Sequence, residues 1–277
     1  MPSVVVTGAS RGIGKTIATH LAASGWDVIA GVRTEADGAR LRAEDSRLTP
    51  VILDVTDENH IAALDQSLPQ RLDAVVNNAG VAVGGPMETV PLGELRRQLD
   101  INVIGQIAVT QAVLPRLRAS RGRVVFISSL NGKIAFPLFG SYCASKFAIE
   151  AAADSLRIEL KPWGIHVSVV EPAQTDTDMW RTADATADDT VAAMTEDARR
   201  LYDRHLEGLR KSIPRSQKIA VPPEKVARVV EQALTARHPR ARYVVGLGPK
   251  LQLALITVLP TAVRDRLLRG LARQPGR

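Results

Sequence analysis

Short apolar runs rich in β-branched residues recur along the chain, separated by stretches in which apolar positions return with helical spacing. Val4–Thr7, Asp27–Val32, Thr49–Leu53, Leu72–Val76, Arg123–Ile127, Ile165–Val170 and Arg242–Val245 read as strands. Most are apolar on both faces, the pattern of a parallel sheet covered on both sides. Between them the spacing predicts helices near 12–24, 57–67, 92–118, 142–161 and 223–236. Strand–helix alternation builds βαβ units, so the expected fold class is α/β. The sheet should be doubly wound and parallel, of about seven strands with helices on both faces. No linker or low-complexity stretch interrupts the pattern, which predicts a single domain.

Two regions break the rhythm. Residues 174–220 are polar and rich in Thr, Asp and Ala, with no clear strand. They follow the sixth strand at its C-terminal end, where open α/β sheets bind ligands. They read either as a substrate lid with short helices or as a surface insertion. Residues 1–249 then form the core and 250–277 a basic, amphipathic extension. The longest apolar run, Leu251 to Val263, has 13 residues and contains Gln252 and Pro260. A bilayer span needs about 20 apolar residues, so this run does not cross a membrane. Val263, Leu267 and Leu271 repeat at i+4 beside Arg264, Arg266, Arg269 and Arg273. That stripe fits a helix packed over a cleft or a partner subunit, with its arginines solvated. It equally fits an interfacial helix lying on anionic lipid.

Charge sharpens this picture. The 277 residues carry a formal net charge of +7. Nine basic residues and one acid lie in 237–277, which leaves residues 1–236 close to neutral. The basic end holds a single aromatic, Tyr243, which argues against a nucleic-acid partner. Met1-Pro2-Ser3 runs directly into Val4 without the basic start of a signal peptide. With one cysteine, the expected location is cytoplasmic, with peripheral membrane contact through 250–277 left open. The five histidines are scattered without ligand spacing, so no metal is expected.

The first strand ends in Thr7-Gly8-Ala9-Ser10-Arg11-Gly12-Ile13-Gly14, followed by a helical pattern. Glycines there let the backbone turn tightly and approach a pyrophosphate, whose charge sits at the helix N-terminus. Gly14-Lys15-Thr16 invites comparison with a triphosphate-binding loop, but Gly8 precedes Gly14 by one residue too many. The sheet is thus expected to be of the Rossmann type, binding a dinucleotide. The second strand ends Val32-Arg33 without the acid that would bind a ribose 2′-hydroxyl. Arg33 and Arg11 can instead offer guanidinium forks to a 2′-phosphate, so NADP(H) is expected over NAD(H). Two solvated arginines are the plainer alternative.

Four further strings complete a pattern: Asn77-Asn78-Ala79-Gly80, Ile101-Asn102-Val103-Ile104-Gly105, Ile127-Ser128-Ser129, and Tyr142-Cys143-Ala144-Ser145-Lys146. With Thr7–Gly14, and in this order, they resemble the short-chain dehydrogenase/reductase family over about residues 3–172, in particular its steroid- and retinol-type branch. Tyr142 and Lys146 stand at i,i+4 on one helix face. A cation one turn away favours the phenolate, so Tyr142 can exchange a proton with a ketone or alcohol oxygen. Ser129 would hydrogen-bond the same oxygen. The resemblance further implies that Lys146 binds the nicotinamide ribose and that Asn102 holds a water in a proton relay. It assigns Asp54, followed by Val55, to the adenine and Asn78, Ala79 and Gly80 to the adenine-ribose side. Pro172 and backbone near Thr175 would hold the carboxamide, and Thr177 the adjoining phosphate. Plainer readings exist: Ser129 as a strand-end cap, Asn102 as a buried amide, Asp54 as a helix cap, Cys143 as a small helix residue. One position departs from the family pattern, Ala173 replacing its glycine.

The resemblance implies a ketone/secondary-alcohol oxidoreductase on a small, lipophilic substrate, and a homodimer or homotetramer. The helices near 100–118 and 142–161 would form its interface, where Ala148, Ala151, Ala152 and Ser155 permit close packing. A 3-oxoacyl reductase, or a non-catalytic dinucleotide sensor or scaffold, are the alternatives.

Overall fold

The computed structural model describes residues 1–175, 194–218 and 220–276. Its sheet has seven strands: β1 (Ser3–Val6), β2 (Asp27–Val32), β3 (Leu48–Ile52), β4 (Ala74–Asn77), β5 (Arg123–Ile127), β6 (His166–Pro172) and β7 (Arg242–Val245). All neighbours pair in parallel, in the order β3-β2-β1-β4-β5-β6-β7. The order reverses between β1 and β4, the switch point at whose C-terminal edge ligands bind.

Strand alternation explains why both faces are covered. Val4 and Val6 of β1, with Ala74 and Val76 of β4, pack beneath α1 (Gly12–Ala23) and Val226, Val230 and Leu234 near the chain's end. Val5 and Val75 face the other way, towards Val109, Val113, Leu117 and Ile149. Side chains alternate across a strand, so adjacent valines feed two cores.

The five expected helices are present, one of them subdivided, and further helices join them. α2 (Glu35–Glu44) was not legible, because only Gly38 and Leu41 are buried and no apolar stripe exists. Its signal is the cap: Thr34 accepts from the Asp37 N–H. α3 (Glu58–Ser67) starts at an Asp57 cap, not at Asp54. The stretch expected as one helix over 92–118 is α4 (Leu92–Leu99), a π-helical turn over Asp100–Ile104, and α5 (Gly105–Ser120). α6 (Gly140–Glu159) carries Tyr142 and Lys146.

After β6 the chain leaves the sheet and returns where it left: Thr175 bridges Val221 in parallel, and the Val221 N–H donates to the Gln174 carbonyl. Within this excursion lies α7 (Glu196–Lys218), a long helix where short ones were expected. Tyr202, Leu206, Leu209 and Ile213 give it an apolar face; Leu206 packs on Leu138 and Met194. α8 (Pro223–Thr235) then covers α1. The C-terminal segment is two helices, α9 (Leu247–Val258) and α10 (Thr261–Leu271), broken at Pro260. No described helix is long and apolar enough to cross a membrane.

Candidate active site

Hydrogen bonds button the ends of β1 and β4 together. The Thr7 hydroxyl accepts from the N–H groups of Asn78 and Ala79, each at 2.9 Å. Asn78 Nδ2 donates to the carbonyls of Thr7 at 3.0 Å and Gly8 at 3.2 Å. The chain then turns through Gly8 and Gly12, both left-handed at φ 65° and 56°. α1 opens without a side-chain cap and without an acid in its first turn. Its first N–H groups are therefore left for an anion, and the helix dipole favours one there. This turn fits the pyrophosphate of a dinucleotide.

A run of buried amides holds the loop after β4. Gln98, Asn102 and Gln106, four residues apart on α4, the π-helical turn and α5, bond the backbone of Val83, Val81 and Ala79 respectively. Four helical residues rise about 6 Å and two extended residues about 6.6 Å, so the two repeats match. Both N–H groups of the Asn102 side chain are occupied, by the Val81 carbonyl and the Ser145 hydroxyl. Asn102 is wholly buried and is not among the cavity's lining residues. Gln98 and Gln106 escaped the sequence reading; their i, i+4, i+8 spacing with Asn102 on a buried face is the signal.

Ser129 caps the short turn after β5, its hydroxyl accepting from the Asn131 N–H. Both Ser129 and Tyr142 line the same cavity. Burial pushes the Tyr142 phenol up to about 12, against the opposing pull of Ser129. The expected lowering by Lys146 is not what the structure shows. Lys146 is itself buried, its ammonium depressed to about 8 by desolvation with Glu150 opposing. Its Nζ lies 5.6 Å from the Tyr142 ring centre and donates to the Ile127 carbonyl at 2.9 Å. Cys143 is buried with its Sγ accepting from the Phe136 N–H.

Ser129, Tyr142, Lys146 and the glycine turn open on a cavity of about 1480 Å³. Single-ligand pockets measure roughly 300–1,000 Å³, so there is room for a dinucleotide and a second molecule. Of the residues singled out from sequence, Gly8, Ser10, Arg11, Gly12, Ile13, Gly14, Arg33, Asp54, Val55, Asn78, Ala79, Gly80, Ser129, Tyr142, Lys146, Pro172 and Thr175 line it. Thr7 lies behind the lining and Thr177 outside the described residues. Burial opposes ionisation of Asp54, but the N–H and hydroxyl of Thr56, with the charges of Arg33 and His60, hold its carboxyl below the usual range. Ala173 also lines the cavity and packs against the core.

The far wall was not legible from sequence. It comprises Phe136 and Phe139, Leu206 and Ile213 of α7, and Ile256 and Leu268 of the C-terminal helices. Ile134, Leu253, Ile256 and Leu268 form a small core of their own, so the C-terminal extension packs over the cleft, one of its two expected positions. Of the i+4 stripe, Val263 and Leu267 are exposed at 50% and 39%, while Leu271 lines the cavity.

A doubly wound parallel sheet, a glycine turn at its switch point and a Ser–Tyr–Lys cluster beside it define a dinucleotide-binding oxidoreductase. The short chain dehydrogenase family model matches residues 2–188, and the chain belongs to that family, whose members bind a nicotinamide dinucleotide. It is an oxidoreductase acting on CH–OH groups. It is 35% identical to retinol dehydrogenase 5 of Mus musculus over 98% of this chain and 89% of that protein. It is 33% identical to an NADPH-dependent 3-dehydrocapnine reductase of Ornithobacterium rhinotracheale over 96% of each chain. The crystal structure of a short-chain dehydrogenase from Streptomyces avermitilis superposes with a TM-score of 0.75 at 29% identity, covering 96% of this chain and 94% of that one.

Proposed function

We propose that the protein interconverts a ketone and a secondary alcohol on a lipophilic substrate, using NADP(H), with Tyr142 as the proton donor and acceptor. The observation that carries this reading is that Ser129, Tyr142 and Lys146 line the same cavity as the glycine turn and the apolar side chains of Phe136, Leu206 and Ile256. Pro172 and Thr175 would hold the nicotinamide, which would supply or accept the hydride. The raised phenol keeps Tyr142 protonated at neutral pH, ready to donate to a carbonyl oxygen. Ser129 holds that oxygen as negative charge develops. Lys146 orients the dinucleotide's ribose and lends positive charge beside the phenol. Gly8–Gly14 receives the pyrophosphate, and Asp54 and Gly80 bracket the adenosine.

Arg11 and Arg33, both exposed at the cavity edge with no acid at the end of β2, support a 2′-phosphate there. A substrate panel of retinoids, steroids, 3-oxoacyl thioesters and simple ketones, read by NADPH consumption, tests the reading. Turnover is expected on the retinoid or steroid arm, tighter binding of NADP(H) than NAD(H), and a roughly 10²–10⁴-fold loss of kcat in Tyr142→Phe. Wild-type turnover in Tyr142→Phe overturns the proton role.

The same reading places α9 and α10 against anionic lipid: Leu247, Leu251, Leu255 and Val258 are exposed along α9, and arginines line α10. Flotation with phosphatidylglycerol vesicles should be lost in Leu251→Ser/Leu255→Ser. It also makes the protein a homo-oligomer through α5 and α6, where Phe147 and Ile158 are exposed. A monomer mass in light scattering refutes that.

A further inference from the structure

One turn beyond Lys146 on α6, Glu150 is buried at 3% exposure, and Glu171 of β6 faces it at 1%. Buried carboxyls are rare unless paired, and a like-charged pair is rarer still. Two cations reach them from the surface. Lys133, just after the Ser129 turn, places Nζ 2.9 Å from Glu150 Oε2. Arg242 of β7 places Nε 3.1 Å from the same oxygen and 3.3 Å from Glu171 Oε1. Its other arm bonds Asp154 at 2.6 Å, one further turn along α6. The remaining oxygen of Glu150 accepts no hydrogen bond, and neither does the Ser128 hydroxyl accept or donate one. Gly132 ties this cluster to the reactive turn: a Cβ there would meet Ser128 Oγ at 2.7 Å and Glu150 Cγ at 3.0 Å.

We propose that Glu150 and Glu171 form a buried carboxyl pair whose negative charge keeps Lys146 an ammonium, with Glu150 as its positioning residue and Glu171 as the group that tunes Glu150. Geometry dictates this role. The neighbours at i+4 on α6 share a face, and the carboxyls lie out of water, where charge is felt strongly. Among the described residues, the charge of Glu150 opposes the desolvation of Lys146. Burial and Glu150 together push Glu171 up to about 7, against Lys133 and Arg242. The charged groups that face the pair are Lys146 and Asp154 from α6, Lys133 from the turn and Arg242 from β7.

This inference rests on the role given to Lys146 above, but its test needs no turnover. In the full chain labelled with 13C at lysine Cε, the Lys146 resonance is assigned by its loss in Lys146→Met and titrated by NMR. The expected midpoint near 8 falls by about one pH unit, a tenfold change, in Glu150→Gln. Glu171→Gln lowers it by less, and Asp154→Asn leaves it in place. Each variant is first shown to melt cooperatively. An unmoved midpoint in Glu150→Gln overturns the proposal. If that variant does not fold, an unmoved or raised midpoint in Glu171→Gln overturns it. A midpoint that moves as expected in a chain that oxidises and reduces nothing would leave the pair standing and remove the reaction.

Discussion

Gly14→Ala is the sharpest probe of the glycine turn. Gly14 is helical, so the substitution would ordinarily gain up to about 1 kcal/mol of helix propensity. Here the added Cβ falls 2.2 Å from the Gly8 carbonyl oxygen and 2.3 Å from Asn78 Nδ2. Ordinary contact needs more than an ångström of extra room, and both neighbours are fixed. Moving Asn78 breaks its bonds to the Thr7 and Gly8 carbonyls. Each is a net loss of about 1 kcal/mol, and backbone displacement in a packed region adds roughly 1–3 kcal/mol. The variant should lose about 2–5 kcal/mol, a fall in Tm of roughly 3–9 °C for a chain of this size. NADPH fluorescence titration should show weaker binding as well, since the N–H groups that meet the pyrophosphate move with the turn. Gly93→Ala in α4, where a Cβ meets nothing within 4 Å, is the matched control and should be neutral or slightly stabilising. A Gly14→Ala protein that melts with wild type and binds NADPH equally would refute the close-approach argument.

Three further outcomes follow from the same reasoning. Ile256→Ala, at a site 1% exposed in the roof of the cavity, should cost about 2–5 kcal/mol and raise KM for an apolar substrate more than it lowers kcat. Gln106→Leu strands the Ala79 carbonyl, which should cost about 1–3 kcal/mol in chemical denaturation. The folded-state carboxyl of Glu171 lies above its ordinary 4.5, so the native protein keeps a proton that the unfolded chain releases. Stability should therefore fall as pH rises from about 4.5 to about 7, by an amount on the order of 2 kcal/mol, and Glu171→Gln should flatten that slope in thermal melts.

The sequence made legible whatever local chemistry dictates. The seven strands emerge within one or two residues, because runs such as Val4-Val5-Val6 must be buried on both faces. The glycine turn, Ser129, Tyr142 and Lys146 emerge because their residue types and spacing carry their chemistry. α2 stayed hidden because its stability comes from a cap and two small contacts, which leave no stripe. α7 stayed hidden within a polar segment, although Tyr202, Leu206, Leu209 and Ile213 carry a helical spacing. The amide run and the carboxyl pair stayed hidden for another reason. Gln98 and Glu150 look solvated in any one-dimensional reading, and only the fold brings Val83 to the one and Glu171 to the other.

The bridge between Thr175 and Val221 makes the excursion between them separable from the sheet. Both ends of the excursion are pinned at adjacent points on the sheet edge, about 4.8 Å apart as in any strand pair. Closing a loop on fixed ends costs only about 0.6 kcal/mol more for each doubling of its length. The segment between them can therefore lengthen, shorten or be exchanged with little strain on β6, while Ser129, Tyr142 and Lys146 stay on other elements. The share of the cavity wall that this segment supplies, Leu206 and Ile213 among it, can thus be exchanged by grafting at residues 175 and 221 while the proton-transfer residues of the proposed reaction stay in place.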